Sequence, residues 1–246
     1  MLLEQGVQIH VYADDIQILI EWDGVDIGEL KQKIKSIFDL VDAWMYIYKL
    51  KLNLKKTQLM LFGPKNTIHT SREKFESLVF KNTTLKLMDE VRNLGVWFDY
   101  KLEFRSHITK IVRSCNYSLY NLKPLRSLIS DKLFISLIHH EITSKIDYCN
   151  SLFLGLPKSQ LKRLQKILNN CARLIHSIPF RESVSKILKM DLHWLPIGAR
   201  IDFKILLIIH QCMVYQSPEY LCDSLILSRS NRLIQSRCET ENAKKS

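Results

Sequence analysis

The sequence predicts an α+β chain, with short antiparallel strands and one long helix in its first hundred residues and an all-α region after them. Three observations predict this. Apolar residues alternate with period two over 7–20, then recur at three and four residues from 27 and again from 104. Gly and Pro are scarce, 7 and 6 in 246 residues, which argues against a turn-dense all-β fold. Apolar residues make up 46% and charged residues 25%, so the chain has the means to bury a core and is not disordered.

The elements follow in order. Val7, Ile9 and Val11 alternate with polar neighbours, and Ile16, Ile18 and Ile20 resume the alternation after Ala13-Asp14-Asp15, which predicts a hairpin with an acidic turn. Asp26 is an N-cap for an amphipathic helix whose stripe runs Ile27, Leu30, Ile34, Ile37, Phe38, Val41, Met45 and Tyr48, with Lys31, Lys33 and Lys35 turned outwards. Gln58 to Phe62 reads as a strand stopped by Gly63-Pro64, and the polar stretch 65–76 as a loop. Leu78 to Phe80, Leu85 to Leu87 and Leu94 to Phe98 read as further short strands, with Lys81-Asn82 a turn. Helical stripes then run from Phe104 to Leu122, from Ser130 to about Ile142, and from Leu161 to Ile175 after the break at Gly155-Leu156-Pro157. A short helix near 182–190 and a longer one over 197–214 complete the pattern. The domain organisation expected is 1–100, 101–226 and a polar tail at 227–246.

Charge is distributed unevenly. Residues 1–100 carry 13 Lys+Arg against 14 Asp+Glu, residues 101–200 carry 17 against 6, and residues 201–246 carry 6 against 5. The net +11 therefore sits in the middle hundred residues, which points to a polyanion partner, nucleic acid or an acidic protein. Lys158, Lys162, Arg163, Lys166 and Arg173 lie mostly opposite the apolar stripe of the third helix of that region. The six cysteines show neither CxxC pairs nor zinc spacing and read as reduced, mostly buried thiols. No apolar run reaches membrane-spanning length and the N-terminus lacks a signal-peptide pattern, so an intracellular chain, nuclear or cytoplasmic, without a membrane partner is expected.

The sharpest chemical feature is Tyr12-Ala13-Asp14-Asp15. Two adjacent carboxylates at a hairpin tip repel each other unless a cation neutralises them, and Mg²⁺ takes such oxygen ligands in phosphoryl-transfer sites. An ordinary acidic turn has the same composition, and the dipeptide alone does not decide between the two. His139-His140-Glu141 lacks the HExxH spacing and reads as a cluster on a helix surface.

The wider context resembles LINE-type (non-long-terminal-repeat) retrotransposon reverse transcriptases. Tyr12 to Asp15 resembles their YxDD hairpin. Leu52-Asn53 with Lys56-Thr57, leading to Phe62-Gly63, resembles their LN–x–x–KT–x–x–x–x–FG segment. Leu94-Gly95-Val96 with Asp99, then Leu102, Phe104, His107 and Ile108, resembles the palm-to-thumb junction. Leu192-His193-Trp194-Leu195-Pro196 with Arg200 to Lys204 resembles a C-terminal signature. The four segments stand in the family's order and reach from about residue 7 to 226.

The resemblance implies the end of a palm followed by a helical thumb, and RNA-directed DNA synthesis on an RNA template and a DNA primer as the activity. Asp14 would be the principal Mg²⁺ ligand, Asp15 an auxiliary carboxylate, and Tyr12 a neighbour of the primer end. Lys56 would lie near the outgoing pyrophosphate as a proton donor; read from its residues alone it is equally a solvent lysine. The basic helices would follow the template–primer backbone. Eleven residues precede Tyr12, too few for the strand that carries the family's other metal-binding aspartate. The expectation is therefore weak or no Mg²⁺ binding, no primer extension by the chain alone, and self-association through the uncovered palm edge. Two alternatives stand beside this reading: a non-enzymatic helical nucleic-acid-binding module, and a decayed element remnant.

Overall fold

The computed structural model describes residues 6–223 and 225 and is a mixed α+β structure whose small sheets are all antiparallel. The chain divides into two units, Met1–Ser106 and His107–Ser246. The expected tail at 227–246 lies outside the described residues.

In the first unit, β1 (Val7–Tyr12) and β2 (Asp15–Ile20) form the expected hairpin, registered Val7 to Ile20 through Tyr12 to Asp15. Ala13 takes a left-handed φ of +54° at the turn, a conformation that costs an L-residue about 1 kcal/mol or more. Only the part of the hairpin away from the turn is covered: Val7 packs with Ile37 and Val41 of α1 (Ile27–Ile47), flanked by Ile9, Ile18 and Ile20. Nearer the turn Val11 and Tyr12 are exposed. Asp26 caps α1 as expected, its Oδ1 accepting from the Gly28 and Glu29 amides at 2.6 and 3.4 Å.

The other apolar edge of α1 sets Leu30, Ile34 and Phe38 against Phe75, Leu78, Phe80 and Leu85. These last residues come from α2 (Lys65–Phe75) and the hairpin of β3 (Leu78–Phe80) and β4 (Thr83–Leu85). A third hairpin joins β5 (Glu90–Asn93) to β6 (Val96–Asp99). The β3–β4 and β5–β6 hairpins each close through two residues with positive φ, Lys81-Asn82 and Leu94-Gly95, the backbone that matches strand twist in a tight turn.

Four expectations need correction here. Residues 65–75 are a helix, because Ile68, Ser71 and Phe75 make a narrow buried stripe and Arg72 ties the helix to its surroundings. The Arg72 guanidinium donates to the Met88 carbonyl at 3.3 Å, pairs with Asp89 and stacks 4.3 Å from the Tyr100 ring centre. Residues 58–62 form no named strand; a single parallel bridge joins Leu59 to Leu87, with the Met88 amide donating to the Leu59 carbonyl at 2.8 Å. Leu87 lies in that bridge rather than in β4. Leu94 and Gly95 are turn rather than strand, because the positive φ they supply is what reverses the chain.

The second unit is helical. α3 (Arg105–Leu122), which begins just before it, leads into a 3₁₀ turn at Lys123–Ser127 containing Pro124. α4 (Asp131–Ile138) continues without a break through a π-helical segment, His139–Thr143, into α5 (Ser144–Asp147), so the helix expected to end near Ile142 runs one turn further. A 3₁₀ turn (Asn150–Phe153), α6 (Lys158–His176), α7 (Ser185–Met190) and α8 (Ile197–Tyr215) follow. Their stripes close one core around Ile108, Cys115, Phe134, Ile138, Ile142, Phe153, Leu164, Leu168, Cys171 and Trp194. No helix among the described residues is long and apolar enough to cross a membrane. The five described cysteines are free thiols, and burial pushes the Cys115 thiol up to about 11, which makes it an inert core group.

His107 gives this unit a pH dependence. Burial, with help from Lys110, holds its pKa below the ordinary 6.5. The unfolded chain therefore takes up a proton that the folded chain refuses, and stability falls as pH drops through about 6.5 towards the folded value. Urea midpoints at about pH 7.5 and about pH 5 should show the fall, and His107→Gln should shrink it. His139 is lowered in the same direction, chiefly by burial, and adds to the fall in the same sense. A variant with an undiminished fall would remove His107 from this account.

Candidate functional site

Two regions hold the residues that the sequence singles out. The first is the hairpin tip. The two-residue turn projects Asp14 into water, and Asp15 opens β2 opposite Tyr12, which is 69% exposed. Neither carboxylate has a hydrogen-bond or ion-pair partner among the described residues. The hairpin is tied sideways to the β5–β6 hairpin, where Asn93 Nδ2 donates to Gln17 Oε1 at 2.9 Å. No third strand pairs with β1 or β2 among the described residues.

Mg²⁺ demands near-octahedral oxygen coordination, usually one or two carboxylates completed by substrate phosphates and waters. The tip offers two adjacent carboxylates, and no group of three or more His, Cys, Asp or Glu among the described residues is arranged to hold a metal. That donor set does not fit a resident ion, so no catalytic step follows from it.

Lys56 is exposed and belongs to a turn built by Asn53. The Asn53 carbonyl accepts from the Thr57 amide and the Thr57 hydroxyl, both at 3.0 Å, and its Oδ1 accepts from the Lys56 amide at 3.3 Å. Asn53 and Thr57 thus hold the segment in shape and leave the Lys56 ammonium in water. No hydrogen bond or ion pair joins it to Asp14 or Asp15 among the described residues. Asp99 of the junction segment also shapes backbone: its carboxylate accepts from the amides of Lys101, Glu103 and Phe104 at 3.1, 3.1 and 2.7 Å. Phe104 is buried edge-on against Phe98.

The second region is α6. Its stripe of Leu164, Ile167, Leu168, Cys171 and Ile175 is buried, and Lys158, Lys162 and Lys166 stand exposed at four-residue spacing on the other side. Successive lysines are about 6 Å apart along the axis, so they form a line of charge. No described carboxylate pairs with any of them. The two arginines behave differently. Arg163 is half-buried and donates to Thr109 Oγ1 at 3.0 Å, tying α6 to α3. Arg173 donates to the Glu182 carbonyl at 3.1 Å and stacks over Phe180. Both guanidiniums therefore serve the fold as well as the surface charge.

The segment from Leu192 to Lys204 was legible as a motif but not as a site. Trp194 is buried edge-on against His139, and Arg200 pairs with Asp147, its Nη1 donating to Oδ2 at 2.6 Å. These residues open a cleft of about 420 Å³ that also takes in Asn150. Nothing in the linear sequence places 139–150 beside 193–204. Against known proteins, no family model, no curated protein and no solved structure matches the chain.

Proposed function

We propose that the chain is the end of the palm and the thumb of a LINE-type reverse transcriptase, and that its helical unit holds a template–primer duplex by the phosphate backbone. The observation that carries the reading is the Tyr12–Asp15 turn, two solvent-facing carboxylates at the tip of an antiparallel hairpin seated on α1. The order of the four family-like segments supports the same ancestry. In a complete enzyme of this class, Asp14 and Asp15 would hold Mg²⁺, Tyr12 would face the primer end and Lys56 the departing pyrophosphate. The line of Lys158, Lys162 and Lys166 favours a second reading, a binding module without catalysis, since it works without a metal.

Backbone contacts release counterions, so affinity for an RNA–DNA hybrid should fall steeply with salt and depend little on sequence. Replacing Lys158, Lys162 and Lys166 together by Ala should lower the salt slope by about two to three units, roughly one per phosphate contact. Titrating a hybrid at several salt concentrations, wild type against the triple variant, reads this directly. An unchanged slope would leave the lysines as solvated surface charge and take the thumb role from α6.

A further inference from the structure

We propose that the cleft beside the π-helical segment binds a nucleoside 5′-phosphate, either free or as an unpaired nucleotide of a strand. The ring would lie against Phe203, an N–H donor of the base would face His139 Nε2, and the phosphate would meet Lys204. This goes beyond duplex binding by α6, because an open lysine line reads backbone alone and has no place for a single base.

Four observations carry the assignment. The first is size: about 420 Å³ falls within the roughly 300–1,000 Å³ of small-molecule sites. The second is an acceptor left over. Asn150 is only 4% exposed, and its Nδ2 donates to Asp147 Oδ1 at 3.4 Å, which fixes the amide orientation. Its Oδ1 then has no partner in the protein. A buried acceptor in that state costs about 1–3 kcal/mol, and because the atom has essentially no accessible surface it belongs to the wall of the cleft and not to the part a ligand meets. The acceptor that the cleft presents is on His139. The Thr143 hydroxyl spends its proton on the His139 carbonyl at 3.1 Å, so at 3.0 Å it accepts from His139 Nδ1–H, and Nε2 keeps its lone pair.

The third observation is charge. Arg200 is neutralised by Asp147 and also donates through Nε to the Leu195 carbonyl at 2.8 Å. Lys204 has no carboxylate partner among the described residues, so the cleft keeps one cation for an anion. Phe203 beside it is 58% exposed, an apolar ring face available for stacking. The fourth is backbone. His139 of the π-helical segment lines the cleft, as does His193, a non-glycine residue in the left-handed region at φ +51°, and Cys149, at φ +52°, directly precedes the lining residue Asn150. Irregularities of this kind cost free energy and gather where side chains must be aimed at a ligand.

Isothermal titration of the full chain with AMP tests the proposal, with adenosine, inorganic phosphate and a short oligoadenylate as comparison ligands. The chain used for the oligoadenylate carries Lys158, Lys162 and Lys166 as Ala, so that binding along α6 does not enter. AMP should saturate, Lys204→Ala and Phe203→Leu should each weaken it by about tenfold, and phosphate at equal concentration should not displace it. Tighter binding of the oligoadenylate than of AMP would identify a strand as the source, and equal or weaker binding a free nucleotide. No saturation up to about 10 mM AMP, equal affinity in both variants, or displacement by phosphate alone would each overturn the assignment. Because α6 is disabled in the strand arm, loss of duplex binding and loss of nucleotide binding remain separate results.

Discussion

Asp99→Ala is expected to cost the chain about 2–4 kcal/mol of stability, while Asp14→Ala changes it by less than about 0.5 kcal/mol. Both aspartates belong to family-like segments, yet they do different physical work. Asp99 accepts from three amides of one loop, those of Lys101, Glu103 and Phe104, and the last two are part-buried. The same loop holds Leu102 and Phe104 at φ +54° and +53°, a backbone that side-chain acceptors must stabilise. Removing the carboxylate leaves those amides without a charged acceptor, and water reaches those of Glu103 and Phe104 only in part. Asp14 stands in water with nothing described bonded to it, so its loss removes no interaction of the fold. Urea denaturation of both variants measures the difference as a shift in midpoint at constant slope. Equal midpoints would mean that the Asp99 loop is held by something other than its carboxylate.

The second large effect concerns the helical core. Phe153→Ala is expected to lower stability by about 3–5 kcal/mol, because its ring is fully buried and a cavity replaces it. Phe153 sits in the 3₁₀ turn beside Asn150 and lies 5.8 Å, centre to centre, from the His107 ring. The substitution therefore admits water towards His107 and should bring its pKa back up towards 6.5, reducing the loss of stability at low pH as well. Thermal or urea unfolding measured at two pH values reads both quantities. A cost below about 1 kcal/mol would show that the turn collapses into the space.

Much of the architecture was legible before the structure, and the reasons are specific. The β1–β2 hairpin announced itself by strict alternation, and α1 by a cap followed by a wide apolar stripe. α2 did not, because between Pro64 and Glu76 only Ile68 and Phe75 are buried and apolar. Beyond that narrow stripe it is held by what Arg72 reaches, carbonyls and a ring far along the chain, which no local pattern encodes. The same limit governs the site. Five cations clustered at 158–173 look alike in sequence, but Arg163 and Arg173 are engaged by Thr109 and Glu182 while the three lysines are not. The cleft was harder still. Its acceptors come from 139–150 and its cation and ring from 203–204, and the leftover lone pair on Asn150 exists only because Asp147 fixes the amide.

The π-helical segment between α4 and α5 resolves a mismatch of phase. Phe134, Ile138, Ile142 and Ile146 are all buried, at intervals of four residues. An α-helix turns about 100° per residue, so each interval overshoots a full revolution by about 40°, and three intervals would carry Ile146 about 120° away from Phe134. An offset of that size would bring Ile146 to the edge of an apolar stripe, which is about 100° wide. A π segment takes one additional residue into its turn, an unwinding of about 100°, and leaves a residual offset of only about 20°. The four-residue spacing thus works as a vernier against the 3.6-residue helix. The slack it demands is placed at His139–Thr143, so that keeping the apolar row in line also sets the direction of the imidazole in the cleft.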